Sequence, residues 1–388
     1  MGRSKAYVTA RLKMGPARIP ATGYTMRSVC ESRADIPVKP RVRAPRAVAT
    51  ALAMARRRHG VRQNIVKHLE RGETMKHFAL LALLFVGTSL SAQEMPKAPE
   101  IPFRVVEDYL KIPSDMIMAE AVGVAINSKG HIFILNRGNH PLLEFSADGD
   151  FIGSFGEGSP LFRVPHSIRF DSQDNMWYVN SADNLVVKFD PKRRVQQALG
   201  RREEPWVYLT HGIERAIPPP ANFYQPTDTV VGPDGSTYVT DGYGNSRVVK
   251  FSREGNLVKY WGDRGTRPGQ FNTPHNIVID AKSNLYVADR QNNRVQVFDT
   301  DGAFKEEWRL DGPAWSLCIT PGANQVIFVG SIGRVYKLDL SGKVLGKFGK
   351  LGRLPGWFDS VHALTCPDEK TLYLAEEFSY RFDKVLLQ

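Results

Sequence analysis

Residues 271–299, FNTPHNIVIDAKSNLYVADRQNNRVQVFD, read as strand, turn, strand, turn, strand. IVID and LYVAD are short β-branched and aromatic runs separated by the turn-forming AKSN, and NNRVQVFD opens a third strand. The unit recurs. An aromatic in the second strand serves as a ruler: Phe133, Trp177, Tyr238, Tyr286, Phe328 and Tyr373, inside HIFILNR, NMWYVNS, STYVTDG, NLYVADR, QVIFVGS and TLYLAEE. A third strand follows each (PLLEF, LVVKF, RVVKF, RVQVF, RVYKL, DKVLL), and Gly-containing turns such as SADGD and SREGN lead into a fourth.

Six four-stranded units in tandem predict an all-β chain folded as a six-bladed β-propeller. The blades fall at about 116–156, 162–200, 223–262, 271–309, 313–349 and 357–388. The last unit ends after its third strand, so FRVVEDYL, residues 103–110, is expected to supply the missing outer strand and close the ring. Residues 200–221, containing REEPW and IPPP, read as a surface insertion between blades 2 and 3.

The formal net charge of +12 is unevenly spread. Residues 1–74 carry 17 Lys and Arg against 4 Asp and Glu, which leaves the remainder at a net of −1. The basic character therefore belongs to the first 74 residues, and no nucleic-acid partner is expected for the propeller. That stretch holds Pro-separated basic runs without apolar periodicity and reads as a disordered extension or an over-extended gene model. MKHFALLALLFVGTSLSAQE, from Met75, has the positive start, apolar run and small-residue end of a secretory signal peptide, residues 75–92. Its apolar run is too short for a membrane span, so the mature chain, 93–388, is expected to be exported, periplasmic or extracellular, and monomeric. Cys318 and Cys366 remain after the signal; in an oxidising compartment they have the option of pairing.

Eleven residues before each ruler aromatic stand Val122, His166, Thr227, His275 and His362; in blade 5, with its longer turn, the equivalent is Trp315. This is where the innermost strand begins, beside the central channel. Histidines on blades 2, 4 and 6 are a third of a turn apart and converge on the axis. Three neutral imidazoles with an open fourth position are what a catalytic Zn²⁺ needs. The plainer alternative is three hydrogen-bonded residues at a channel mouth. Four residues after the ruler stand Arg137 in blade 1 and Arg290 in blade 4, with Tyr243 one place further along in blade 3. Two guanidiniums facing a cavity suit a substrate carboxylate, and an Arg beside a phenol is expected to lower its pKa toward that of a base. Interblade salt bridges are the alternative. Asp228, Asp241, Asp289, Arg247 and Arg294 follow the repeat and read as structural.

The repeats resemble NHL repeats. Gln225-Pro-Thr-Asp228 with Asp241-Gly-Tyr-Gly-Asn-Ser-Arg247, Pro268-Gly-Gln-Phe-Asn-Thr-Pro-His275 with Ala288-Asp-Arg290, and Leu135-Asn-Arg-Gly-Asn-His140 together resemble the lyase of peptide C-terminal amidation, peptidyl-α-hydroxyglycine α-amidating lyase, over roughly residues 103–388. The resemblance implies zinc on His166, His275 and His362. It also implies arginines at Arg137 and Arg290 lining the site, Tyr243 as the base, and a small peptide-like or carboxylate-bearing substrate. Two departures stand out. Ser360-Val361-His362-Ala363 replaces the family's Met-Pro-His-Asp, which leaves its structural calcium without the acid at that place, and Gly244 stands where the family has a disulfide cysteine. The family's hydroxyglycine is made by a copper monooxygenase, which the resembling residues do not include. Two other readings compete with the lyase: a non-catalytic propeller binding a protein, peptide or glycan, and a lactonase, for which the register shows no acidic calcium cluster. Mass spectrometry of the native protein is expected to find a mature N-terminus near Gln93; a native peptide from within residues 1–74 would refute the mis-start.

Overall fold

The computed structural model describes residues 98–202 and 222–388. The basic extension, the signal segment and most of the 200–221 insertion lie outside these residues. The described chain is strands joined by turns, with two single 3-10 turns at Pro160–Phe162 and Arg290–Asn292. It forms six four-stranded antiparallel sheets, each one blade of a six-bladed β-propeller.

The innermost strands are Ala121–Ile126, Pro165–Phe170, Asp228–Val231, Pro274–Ile279, Ser316–Ile319 and Val361–Thr365. Consecutive innermost strands pack on one another and ring the channel. Five blades are continuous in sequence. The sixth takes its outer strand from Phe103–Val106, paired antiparallel with Arg381–Leu387, so that Phe103 faces Leu387 and Val106 faces Lys384. The closing strand is shorter than 103–110. It stops at Val106, because the chain turns through Asp108 at φ 49°, and Tyr109 instead lays its ring against Tyr373 and Phe382.

The core is divided, because a blade has two faces and buries each against a neighbour. Six apolar clusters result, one at each seam between adjacent blades. All six ruler aromatics are buried in these seams. Cys318 and Cys366 are joined as a disulfide within the seam of blades 5 and 6.

Blades 3, 4 and 6 each also carry an internal ion pair. The acid ending the second strand meets an Arg opening the third: Asp241 with Arg247, Asp289 with Arg294, Glu376 with Arg381. The same acids accept the backbone N–H of Tyr224, Asn272 and Asp359, pinning the segment that enters the inner strand. Arg294 is 1% exposed and also donates to the carbonyls of Thr266, Arg267 and Gln270. Arg294→Ala is therefore expected to cost about 3–5 kcal/mol in urea unfolding, because it strands the Asp289 carboxylate without its cation. The exposed Arg309→Ala should stay within about 0.5 kcal/mol.

Candidate metal centre

The innermost strands of blades 1, 2, 4 and 6 each carry an irregularity at the same place. Their register with the second strand slips at Ala121/Gly123, Pro165/Ser167, Pro274/Asn276 and Val361/Ala363. The residue spanned by each slip is Val122, His166, His275 and His362. A bulge re-aims the side chain it carries, and here it aims three imidazoles at the axis.

The three rings form a nearly equilateral triangle, with centroids 4.8–4.9 Å apart. One ring nitrogen from each lies within 4.8 Å of the others. All three side chains are buried. Their other nitrogens are committed. Nδ1 of His166 bonds the Thr227 carbonyl at 2.6 Å, Nδ1 of His275 the Trp315 carbonyl at 2.7 Å, and Nδ1 of His362 the Val122 carbonyl at 2.8 Å. A carbonyl only accepts, so each Nδ1 carries the proton and each Nε2 presents a lone pair. The acceptors are the register-equivalent residues of blades 3, 5 and 1.

The centre is built for neutral imidazoles. Burial, then His362 and Arg137, holds His166 well below its ordinary pKa. Burial, then Arg290, does the same for His275. Burial, then Arg137, brings His362 down to about 3. The Nε2 of His362 is buried with no hydrogen-bond partner. Three fixed-tautomer lone pairs and a buried orphan nitrogen fit a divalent transition metal such as zinc, which takes neutral nitrogen ligands.

Around the triad the sequence-predicted residues assemble unevenly. The Tyr243 hydroxyl lies 3.0 Å from Nε2 of His166 and 3.2 Å from Nε2 of His275. Its pKa is raised, against expectation: burial of the phenol outweighs the opposing pull of Arg290. Arg290 stacks on Trp315, 4.4 Å from the ring centroid, and its Nη1 reaches the Tyr243 hydroxyl at 3.5 Å. Its Nε is buried without a partner. Arg137 is already engaged by Glu377 at 2.5 Å, by Glu120 at 3.2 Å and by the Pro165 carbonyl.

Sequence reasoning missed Glu377 as a site residue. It stands four residues after Tyr373, the register position of Arg137 and Arg290, so a count extended to blade 6 finds it. Trp315 was placed on the histidine register, but its ring also forms a wall of the cup, 5.4 Å from His275 and 5.8 Å from His362. At Gly244, a Cβ would collide with the Tyr224 ring, which fills the space a side chain there would need. Asp228, the buried acid on the inner strand of blade 3, is paired with Arg169 and accepts the Ile277 N–H. A separate cavity of about 700 Å³ opens at the far ends of the inner strands, lined by Arg169, Trp177 and Asp280 among others and by none of the three histidines.

A family model described as a six-bladed β-propeller matches residues 225–335. Peptidylglycine alpha-amidating monooxygenase of Rattus norvegicus is 34% identical over 228 residues, covering 50% of this chain and 22% of that protein. The chain resembles the amidating lyases. A probable peptidyl-alpha-hydroxyglycine alpha-amidating lyase of Caenorhabditis elegans is 29% identical over 208 residues, covering 47% of this chain and 56% of the relative. The chain thus spans between about a fifth and three fifths of the length of these relatives. The solved streptogramin B lyase shares the fold with a TM-score of 0.51 at 15% identity, covering 74% of this chain and 98% of that one. Amidating-lyase relatives and a six-bladed NHL-type propeller are thus consistent with the architecture above.

Among the described residues, the interblade bonds are expected to set ring orientation. Thr227→Pro, which keeps the carbonyl but removes the N–H that bonds the Thr240 carbonyl at 2.8 Å, should shift that carbonyl and lower divalent-metal affinity about 10–100-fold, read by competition with a metal-sensitive dye.

Proposed function

We propose that this chain is an exported, zinc-dependent carbon–nitrogen lyase acting on a carbinolamide that bears a carboxylate, R–CO–NH–CH(OH)–COO⁻, and yielding the amide R–CO–NH₂ and glyoxylate. The observation that carries this reading is the convergence of three buried imidazoles whose Nδ1 protons are all spent on backbone carbonyls. His166, His275 and His362 would hold the metal through Nε2. When bound, zinc supplies a Lewis acid that stabilises oxyanion charge developing on the substrate.

The protein's own groups then have separable tasks. Arg290, with its unpartnered Nε and its guanidinium held over the Trp315 ring, binds the substrate carboxylate and sets the pose. Tyr243 handles the proton. Its hydroxyl sits against two of the triad nitrogens, and its raised pKa keeps it a phenol rather than a standing base. A phenol accepts the carbinol proton on its oxygen while giving its own to the departing amide nitrogen. The C–N bond breaks, the C–O bond becomes a carbonyl, and Tyr243 ends as it began. Trp315 and the neighbouring Phe378, 6.1 Å from it edge-on, shield one side of the cup from water.

Export rests on the signal-like segment and agrees with the Cys318–Cys366 disulfide, a bond that persists in oxidising compartments. No helix among the described residues is long and apolar enough to cross a membrane.

Elemental analysis of the purified mature chain is expected to give about one zinc per chain, lost on combined substitution of His166, His275 and His362 by Ala. Zinc-loaded protein should release glyoxylate from an α-hydroxyglycine substrate, and Tyr243→Phe should lower kcat about 10²–10⁴-fold with zinc content unchanged. A chain that holds no zinc when metal is supplied is a binding propeller. One that holds zinc and releases no glyoxylate acts on another substrate.

A further inference from the structure

The two arginines of the cup are not equivalent, and Glu377 makes the difference. Arg137, Arg290 and Glu377 occupy one register position, four residues past the ruler, on blades 1, 4 and 6. Blades 6 and 1 are neighbours, so ring closure brings Glu377 against Arg137 across 240 residues of chain. Oε1 of Glu377 takes the Arg137 Nη1 at 2.5 Å, while Oε2 faces inward, 4.0 Å from Nε2 of His362. The carboxylate is 12% exposed, and Glu120 on the rim, 36% exposed, holds the same guanidinium nitrogen from outside. Arg137 Nε is turned to the Pro165 carbonyl. Opposite, Arg290 has no carboxylate partner among the described residues, and its Nε is a buried orphan.

We propose that Glu377 is a built-in carboxylate that fills the Arg137 half of the cup, so that an anionic ligand is held by Arg290 alone. Glu377 from within and Glu120 from the rim both engage Arg137, so the cup cation left without an acidic partner among the described residues is Arg290, next to Tyr243 and Trp315. The specificity this imposes is for a ligand with a single carboxylate. A second anionic group would have to enter beside Glu377 and face its charge at short range. Glu377 is in this sense a specificity-determining residue, and it acts on the ligand through Arg137 and through its inward oxygen.

The inference rests on the proposed reading for the identity of the pocket, but its test does not use turnover. Glycolate, a one-carboxylate 2-hydroxy acid, and tartronate, its two-carboxylate analogue, are titrated calorimetrically into the full mature chain, once zinc-loaded and once EDTA-treated. In both states glycolate is expected to bind at least tenfold more tightly than tartronate. Arg290→Ala should weaken glycolate at least tenfold. Glu377→Gln keeps an acceptor for Arg137 and removes the charge; it should tighten tartronate about tenfold. Glu377→Ala should do the same, and adding Arg137→Ala to it should abolish that gain. Thermal melts establish that each variant is folded, and Glu377→Gln serves if the alanine variant is not.

Tartronate affinity unchanged or weakened in Glu377→Gln overturns the proposal, as does absence of glycolate binding in the native chain. Loss of zinc from folded Glu377→Gln also overturns it, since Glu377 would then be a metal ligand. If the lyase reading alone fails, glyoxylate release is missing while the glycolate and tartronate differences persist in the EDTA-treated protein.

Discussion

The centre depends on one repeated interaction, a hydrogen bond from an imidazole Nδ1–H in one blade to a backbone carbonyl in the next. It occurs three times, from blade 2 to 3, from 4 to 5 and from 6 to 1, at 2.6–2.8 Å. Each bond does two things. It fixes the tautomer, so that the other nitrogen is a lone pair rather than a donor, and it locks ring orientation by tying the side chain to the neighbouring sheet. The bulges aim the histidines inward, and the register-equivalent carbonyls of the intervening blades receive their Nδ1 protons. A six-fold ring of similar sheets thereby carries a three-fold site, with odd blades supplying the carbonyl acceptors and even blades supplying the imidazoles.

The seams make this arrangement rigid. Apolar clusters fill all six blade–blade interfaces, and each buried Asp–Arg or Glu–Arg pair ties the start of an inner strand to its own sheet. The imidazoles need that framing, because on their inward side His166 and His275 share the single Tyr243 hydroxyl and His362 has no hydrogen-bond partner at all. The N-terminal strand on the last blade matters for the same reason. It pairs across the opening of the ring and leaves blade 6, the source of His362 and Glu377, with a complete sheet.

Inside the cup, desolvation and the cations act together on the imidazoles and against each other on the phenol, where desolvation wins. The histidines are held neutral by burial first, then by Arg290 at His275, by Arg137 at His362, and by His362 ahead of Arg137 at His166. Tyr243 is held as a phenol although Arg290 stands over it, since the cost of burying a phenolate exceeds what one stacked guanidinium returns. The expectation of a lowered phenol pKa counted the cation and omitted the solvent it displaces.

The propeller was legible in the sequence because its signals are periodic: a strand alternation of two and a ruler aromatic that returns once per blade. The same ruler placed His166, His275 and His362 on one position, and alternate blades of a closed six-membered ring must converge, so the triad could be found by counting. The ruler also carried Glu377, but its partner could not be read from spacing alone. Arg137 and Glu377 lie at opposite ends of the propeller in sequence and meet only when the ring closes. Which of two similar arginines is neutralised, how far the phenol is buried and which carbonyl each imidazole reaches are likewise decided by tertiary structure. Register is a local, repeating property of the chain. Charge pairing and desolvation depend on everything within a few ångströms, whatever its place in the sequence.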